Sequence, residues 1–256
     1  MNYLQSVIMG IVEGFTEFLP VSSTAHLILS AKVLRIAQSD FVKSFEIVIQ
    51  LGAILAVVWL YWKKLFADKE AIKRIAVAFA PTAVLGFLLY KIFKSFLMEN
   101  VLLITGALVA GGVFLVVFEL LHKERPGAVE EIGKISYKQS FVIGVCQSVA
   151  IVPGVSRSAA TILGGIALGL KRKTIVEFSF LLAVPTMIAA TAYDLLKSGV
   201  SFQAGEVGVL AVGFIVSFLV AVLAVKLLLG YVQKNNFIWF GVYRVVIGLL
   251  FILLMI

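Results

Sequence analysis

Two short stretches of this chain concentrate the residue types that perform acid–base and phosphate chemistry. Glu13 and Glu17 stand four apart, so on a helix they share one face about a turn from each other. Two carboxylates that close repel unless a cation or a shared proton lies between them. Three readings fit the pair: a hard divalent cation such as Mg²⁺ or Ca²⁺ held by carboxylate oxygens, an ion pair with Arg157, or an acid/base couple. A purely structural role explains it less well, because one carboxylate would be enough. Pro20 follows, and then Ser22, Ser23, Thr24 and His26. Small hydroxyl residues after a Pro-broken turn leave free backbone N–H groups at the start of a new helix, where an anion is favoured. A lone histidine is often a satisfied core residue, but beside two carboxylates and three hydroxyls His26 becomes a candidate acid/base.

The second stretch runs Pro153, Gly154, Ser156, Arg157, Ser158. A guanidinium presents a planar fork that matches phosphate oxygens and keeps its charge at every working pH. With Gly154, the flanking serines and a new helix N-terminus, Arg157 makes a phosphate cradle. The plain alternative, Arg157 as counter-ion to Glu13 or Glu17, is compatible with that role. An acidic segment facing a basic one suits a phosphorylated substrate.

The elements that must position these residues lie in a membrane. The 256 residues are 61% hydrophobic and 14% charged, with a mean hydropathy of +1.08, whereas soluble chains run about 45–50% apolar and about 25% charged. Six apolar runs are long enough to cross as helices: roughly 47–62, 75–90, 101–121, 175–193, 207–229 and 237–256. Segments 4–34 and 140–170 read instead as paired half-length helices broken at Pro/Gly/Ser turns. At 1.5 Å per residue, 4–19 would be about 24 Å and 24–36 about 20 Å long, short for a crossing. Each is expected to be a re-entrant hairpin, and irregular backbone at that depth must be buried in protein or face a water-filled cavity. The two hairpins should therefore meet.

They also resemble each other at an ungapped offset of 134, pairing Gly10 with Gly144, Glu13 with Gln147, Val21 with Val155, Ser22 with Ser156 and Ala25 with Ala159. Three crossings between the hairpins force the second to enter from the opposite face, the arrangement of an inverted-topology repeat. The expectation is one all-α membrane domain, 1–256, with repeat halves 1–125 and 135–256. Basic residues divide fourteen to six between the two sides, with Arg157 and Arg244 left inside the membrane. That bias puts the loop at 63–74 in the cytoplasm, and both termini and the mouth of the first hairpin outside.

An intramembrane charge costs at least ~2.5–3.5 kcal/mol on insertion scales and marks a functional candidate. Glu13, Glu17, Glu46, Glu177, His26, Arg157 and Arg244 qualify, and Arg244 calls for an acidic partner, with Glu46 and Glu177 eligible. The single cysteine, Cys146, excludes intrachain disulfides and multi-cysteine metal sites. The excess of Lys and Arg reads as orientation and anionic lipid, not nucleic acid. The first thirty residues lack signal-peptide features, so the N-terminus is expected to belong to the mature fold.

EGFTEFLPVSSTAH at 13–26 and PGVSRSAATI at 153–162 resemble the two signature segments of the undecaprenyl-diphosphate phosphatase (bacitracin resistance) family. The likeness extends through FEIVIQLGAILAV at 45–57 and EFSFLLAVPTM at 177–187. One departure is Ala25, where the family has Gly before the histidine. The resemblance implies hydrolysis of a polyprenyl diphosphate lipid to the monophosphate carrier and inorganic phosphate, in a bacterial plasma membrane and in support of peptidoglycan synthesis. It implies activity with a divalent cation, Mg²⁺ or Ca²⁺, held by Glu13 and Glu17. Glu13, Glu17, Ser23, His26 and Arg157 match the family's functional residues, with Ser22, Thr24, Gly154, Ser156 and Ser158 completing the phosphate site. Ser23 is the candidate nucleophile, activated by His26 or Glu17; direct attack by water with Glu17 as base fits the same residues. The competing reading is a secondary transporter or polyprenyl-phosphate flippase built on the same inverted repeat. The chain could also pair as a homodimer.

Overall fold

In a computed structural model, residues 1–92, 100–124, 127–198 and 204–255 are described. They form ten α-helices: α1 (Tyr3–Thr16), α2 (Ser23–Val33), α3 (Asp40–Phe66), α4 (Lys69–Ile92), α5 (Val101–Leu121), α6 (Tyr137–Ser148), α7 (Arg157–Ala167), α8 (Arg172–Ser198), α9 (Ala204–Tyr231) and α10 (Ile238–Met255). Among the described residues the only β-type pairing is an isolated bridge between Val129 and Leu170. Lys94 and Arg125, counted in the charge bias, and Ile256 lie outside the described residues.

Five helices are long and apolar enough to cross a bilayer: α3, α4, α5, α8 and α9. The chain is a polytopic membrane protein. Many large apolar side chains on these helices are exposed, as expected where lipid is the solvent. The apolar run of α10 is shorter, Ile238–Leu253.

The two broken segments fold as the composition demands. α1 and α2 are 14 and 11 residues long, and α6 and α7 are 12 and 11, so each is ~16–21 Å long, well short of a ~30 Å hydrocarbon core. The 134-residue offset recurs in the structure. α2 opens at Ser23 and α7 at Arg157, and Ser22 and Ser156 before them both have positive φ, 70° and 78°, an uncommon conformation for non-glycine residues. α1 starts with a capping box between Asn2 and Gln5, α6 with one between Ser136 and Gln139. Gln5 Nε2 donates to the Leu34 carbonyl at 3.2 Å, and Gln139 Nε2 to that of Leu168 at 3.0 Å. These caps satisfy helix ends that would otherwise be orphaned.

Packing joins early helices to late ones. α1 and α3 lie on α9, α6 and α8 lie on α4, and α5 pairs with α10. Small residues permit the close approach: a Cβ on Gly10 or Gly14 of α1 would stand 2.7 or 2.6 Å from the Gly213 or Ser217 carbonyl of α9. Without a hydrophobic driving force between helices in lipid, such packing and interhelical hydrogen bonds supply the association. Ser6 Oγ donates to the Val209 carbonyl at 2.6 Å, and Ser217 Oγ to that of Ile49 at 2.8 Å.

Candidate functional site

The turns of the two hairpins meet tip to tip. Ser158 Oγ donates to the Phe18 carbonyl at 2.7 Å, and the Phe18 ring packs edge-on against Phe180 of α8 with centroids 5.3 Å apart. Between the tips is a cavity of about 120 Å³ lined by Glu17, Ser22, Ser23, Thr24, Gly154, Ser156 and Arg157, with Gln50 of α3 and Met187 of α8. At ~30 Å³ per water it has room for about four waters, and its polar lining suits one small anion.

Glu17 joins the two sides. Its Oε2 accepts a 2.6 Å hydrogen bond from Ser23 Oγ, while its Oε1 accepts from Arg157 Nη2 at 3.2 Å. Arg157 Nη2 also reaches the Glu17 carbonyl at 3.4 Å, and its Nη1 donates to the Ser179 carbonyl at 3.0 Å. Its Nε is buried without an acceptor. The ion-pair reading therefore holds for Glu17 and not for Glu13.

Glu13 is fully buried beside the Glu17 carboxyl, and among the described residues no N–H or hydroxyl donates to either of its carboxylate oxygens. Among the described residues this is an orphaned pair of hard acceptors one turn from Glu17. At the matching place in the second hairpin, Gln147 donates to Thr82 and Thr186 at 2.9 and 3.1 Å, so an amide there is served by hydroxyls.

Several side chains do other work than their residue types suggest. His26 does not bond Ser23 or Glu17: Nδ1 lies 2.8 Å from the Ser22 carbonyl and Nε2 2.9 Å from the Tyr243 hydroxyl, with the Tyr243 ring stacked on it. A carbonyl only accepts, so Nδ1 carries a hydrogen, and in the neutral imidazole the Tyr243 hydroxyl donates to Nε2. Of the two activators considered for Ser23, the one in contact is Glu17. Ser156 lines the cavity, but its hydroxyl accepts from the Ala159 N–H at 3.2 Å as a helix cap. The Ser158 hydroxyl is spent on the Phe18 carbonyl and does not line the cavity.

Arg244 corrects the expectation of an acidic partner. It is fully buried and pairs with no carboxylate among the described residues. Its guanidinium donates instead to the carbonyls of Pro20 at 3.2 Å, Gly154 at 2.9 Å, Val155 at 3.0 Å, Ala107 at 3.4 Å and Leu108 at 3.2 Å. Broken helices leave carbonyls without intrahelical donors, and one arginine on α10 collects them from both hairpin tips, while also reaching two carbonyls inside the unbroken α5. Glu177, the other eligible partner, bonds Lys64 at 2.5 Å near the end of α3. Tyr243, Gln50, Ser179 and Met187 were not singled out in the sequence. Gln50 alone carried a signal, as a polar residue one turn after Glu46 in an apolar run.

Residues 6–250 match the family described as bacitracin resistance protein BacA. The chain is 51% identical over 251 residues to an undecaprenyl-diphosphatase of Aquifex aeolicus, covering 98% of each chain. It is 51% identical over 253 residues to one of Sulfurihydrogenibium, covering 99% of each. To one of Wolinella succinogenes it is 47% identical over 252 residues, covering 98% of each.

Proposed function

The chain belongs to the bacitracin resistance BacA family, and from that premise we propose that it hydrolyses undecaprenyl diphosphate to undecaprenyl phosphate and inorganic phosphate. The observation that carries the reading is Glu17, whose carboxylate meets Ser23 on one oxygen and Arg157 on the other. Relatives of nearly the same length named undecaprenyl-diphosphatase support the substrate.

Phosphoryl transfer is mainly positioning and charge neutralisation. Arg157 holds non-bridging oxygens of the terminal phosphate, and the Gly154 turn with Ser22 and Thr24 shapes the cradle. Ser23 Oγ attacks the terminal phosphorus as its proton passes to Glu17. The bond to the bridging oxygen breaks, and Glu17 returns that proton to the departing undecaprenyl phosphate. Water then attacks the phosphoserine, Glu17 takes its proton and hands it to Ser23 Oγ, and inorganic phosphate leaves. Direct attack by water with Glu17 as base uses the same groups, but the Ser23–Glu17 hydrogen bond favours the covalent route.

A divalent cation fits the donor set. Glu13 and Glu17 would hold it, and the orphaned oxygens of Glu13 are the support. Among the described residues no group of three or more His, Cys, Asp or Glu is placed to hold an ion, so water and phosphate would complete the shell, as Mg²⁺ prefers. When bound, it would neutralise charge on the diphosphate.

The site is set in one membrane domain, 1–256, of six crossings and two re-entrant hairpins, with inverted halves 1–125 and 135–256. The matched helix starts and caps support this, and α10, at 18 residues or about 27 Å, serves as the sixth crossing. The fourteen-to-six charge bias supports a plasma-membrane orientation with both termini and the site's mouth outside.

Phosphate release by the purified protein in detergent tests the reading, since detergent abolishes sidedness. Release with Mg²⁺ supplied, and a phosphorylated Ser23 trapped in a quench, are expected. A fully active Ser23→Ala would overturn the covalent route, and no release at all would overturn hydrolysis in favour of lipid transport.

A further inference from the structure

A second polar cavity, of about 730 Å³, lies at the other end of the bundle, where α5 ends, α8 begins and the α9–α10 link passes. Helix α3 leaves the first hairpin at Asp40 and runs to Phe66, and its Lys64 meets Glu177 near the start of α8. The cavity is therefore on the opposite face from the open end of the α1–α2 hairpin. Its charges do not cancel. Arg172 is matched by Glu119 at 2.7 Å and Glu124 at 3.5 Å, and Lys171 by Glu130 at 2.5 Å. Lys173 and Lys234 line the same cavity and pair with no carboxylate among the described residues.

The cationic wall is built in, not merely decorated. Glu119 has a buried side chain whose second oxygen accepts from the Phe237 N–H at 3.3 Å, which fixes Arg172 against the link. Arg172 Nε is buried and without an acceptor. Arg172 and Lys173, which open α8, line the cavity, and a helix start favours an anion. Exposed apolar side chains flank the lining in sequence: Leu121, just before His122, is 81% exposed, and Trp239, three residues after Asn236, is 72% exposed. Exposed apolar side chains and unpaired lysines at one end of a membrane bundle suit a lipid headgroup.

We propose that this cavity binds a phosphate group, presented by the headgroup of an anionic phospholipid whose acyl chains lie against Leu121 and Trp239. It is separate from the hydrolytic site, so its failure would leave that reading untouched. The test is native mass spectrometry of the full-length protein titrated with phosphatidylglycerol, with phosphatidylcholine as control, and with millimolar inorganic phosphate in lipid-free detergent as a separate arm. The wild type is expected to retain phosphatidylglycerol over phosphatidylcholine. A Lys173→Gln/Lys234→Gln double variant should bind it about 30-fold more weakly, from roughly fivefold per lysine. Both lysines are exposed, so phosphate release should be unchanged and reports that the variant is folded. Retention of inorganic phosphate by the wild type and its loss in the variant would assign the same pocket to the free ion, still a phosphate site. Equal binding by wild type and variant with both probes, or equal retention of the two lipids, would overturn the proposal.

Discussion

Ser23 and Arg157 are the first residues of α2 and α7, 134 residues apart, and both bond the single carboxylate of Glu17. The two hairpins thus offer the same position, the opening residue of the second half-helix, with a nucleophile's hydroxyl on one side and a cation on the other. The acids are not duplicated: Gln147 and Ile151 stand where the offset would place Glu13 and Glu17. The shape is repeated while the chemistry is divided between the halves.

Glu17→Gln separates proton transfer from positioning. The amide oxygen can still accept from Arg157 while the NH2 donates to the Ser23 hydroxyl oxygen, but the group cannot take a proton. The expected result is a fall in kcat of about 10²–10⁴-fold, the range of general-base catalysis, with a smaller change in KM. Steady-state phosphate release measures both, and a kcat within a fewfold of wild type would remove Glu17 from the role of base.

His26 touches the Ser22 carbonyl and the Tyr243 hydroxyl, not the reacting groups. His26→Ala should therefore cost less than Ser23→Ala or Glu17→Gln, about tenfold in kcat/KM against their larger losses. Tyr243→Phe should shift activity in the same direction by less. If His26→Ala is as inactive as Ser23→Ala, the imidazole acts directly on substrate.

Arg244→Met would strand carbonyls of both hairpin turns in the membrane interior. Hydrogen bonds to a charged group contribute about 1.5–3 kcal/mol each, so a loss of at least about 3 kcal/mol is expected, read as a lower unfolding temperature in detergent, with activity falling in parallel. Arg244→Lys should recover only part of it, since three N–H donors cannot serve five carbonyls. An unchanged unfolding temperature in Arg244→Met would mean that the tips hold together without it.

Gly154 has φ +95°, and a Cβ there would stand 2.3 Å from the Ile104 carbonyl. Gly154→Ala meets both a disfavoured backbone region and a clash with α5, costing about 2 kcal/mol or more. Thermal inactivation should come at lower temperature and phosphate affinity should weaken, because the turn both lines the cavity and supplies a carbonyl to Arg244. Wild-type behaviour would mean that the turn relaxes freely.

The long apolar runs were legible because a bilayer demands about 20 uninterrupted apolar residues per helical crossing, and α3, α4, α5, α8 and α9 answer that demand. The Pro20 and Pro153 breaks were legible for the converse reason, as was the pairing of Ser22 with Ser156, which the chain realises as two strained turns of nearly the same φ. Spacing of four by itself puts Glu13 and Glu17 on one helix face. What spacing could not reach was the choice of partners across 140 or 220 residues. A charge inside a membrane must be answered, but carboxylates, hydroxyls and broken-helix carbonyls can all answer it. Local sequence determined which residues this protein buries at cost. Only the packing of α7, α8 and α10 around the hairpin tips decided that Arg157 meets Glu17, that Arg244 meets carbonyls, and that Glu13 is left open, because contact between distant segments depends on where helices cross.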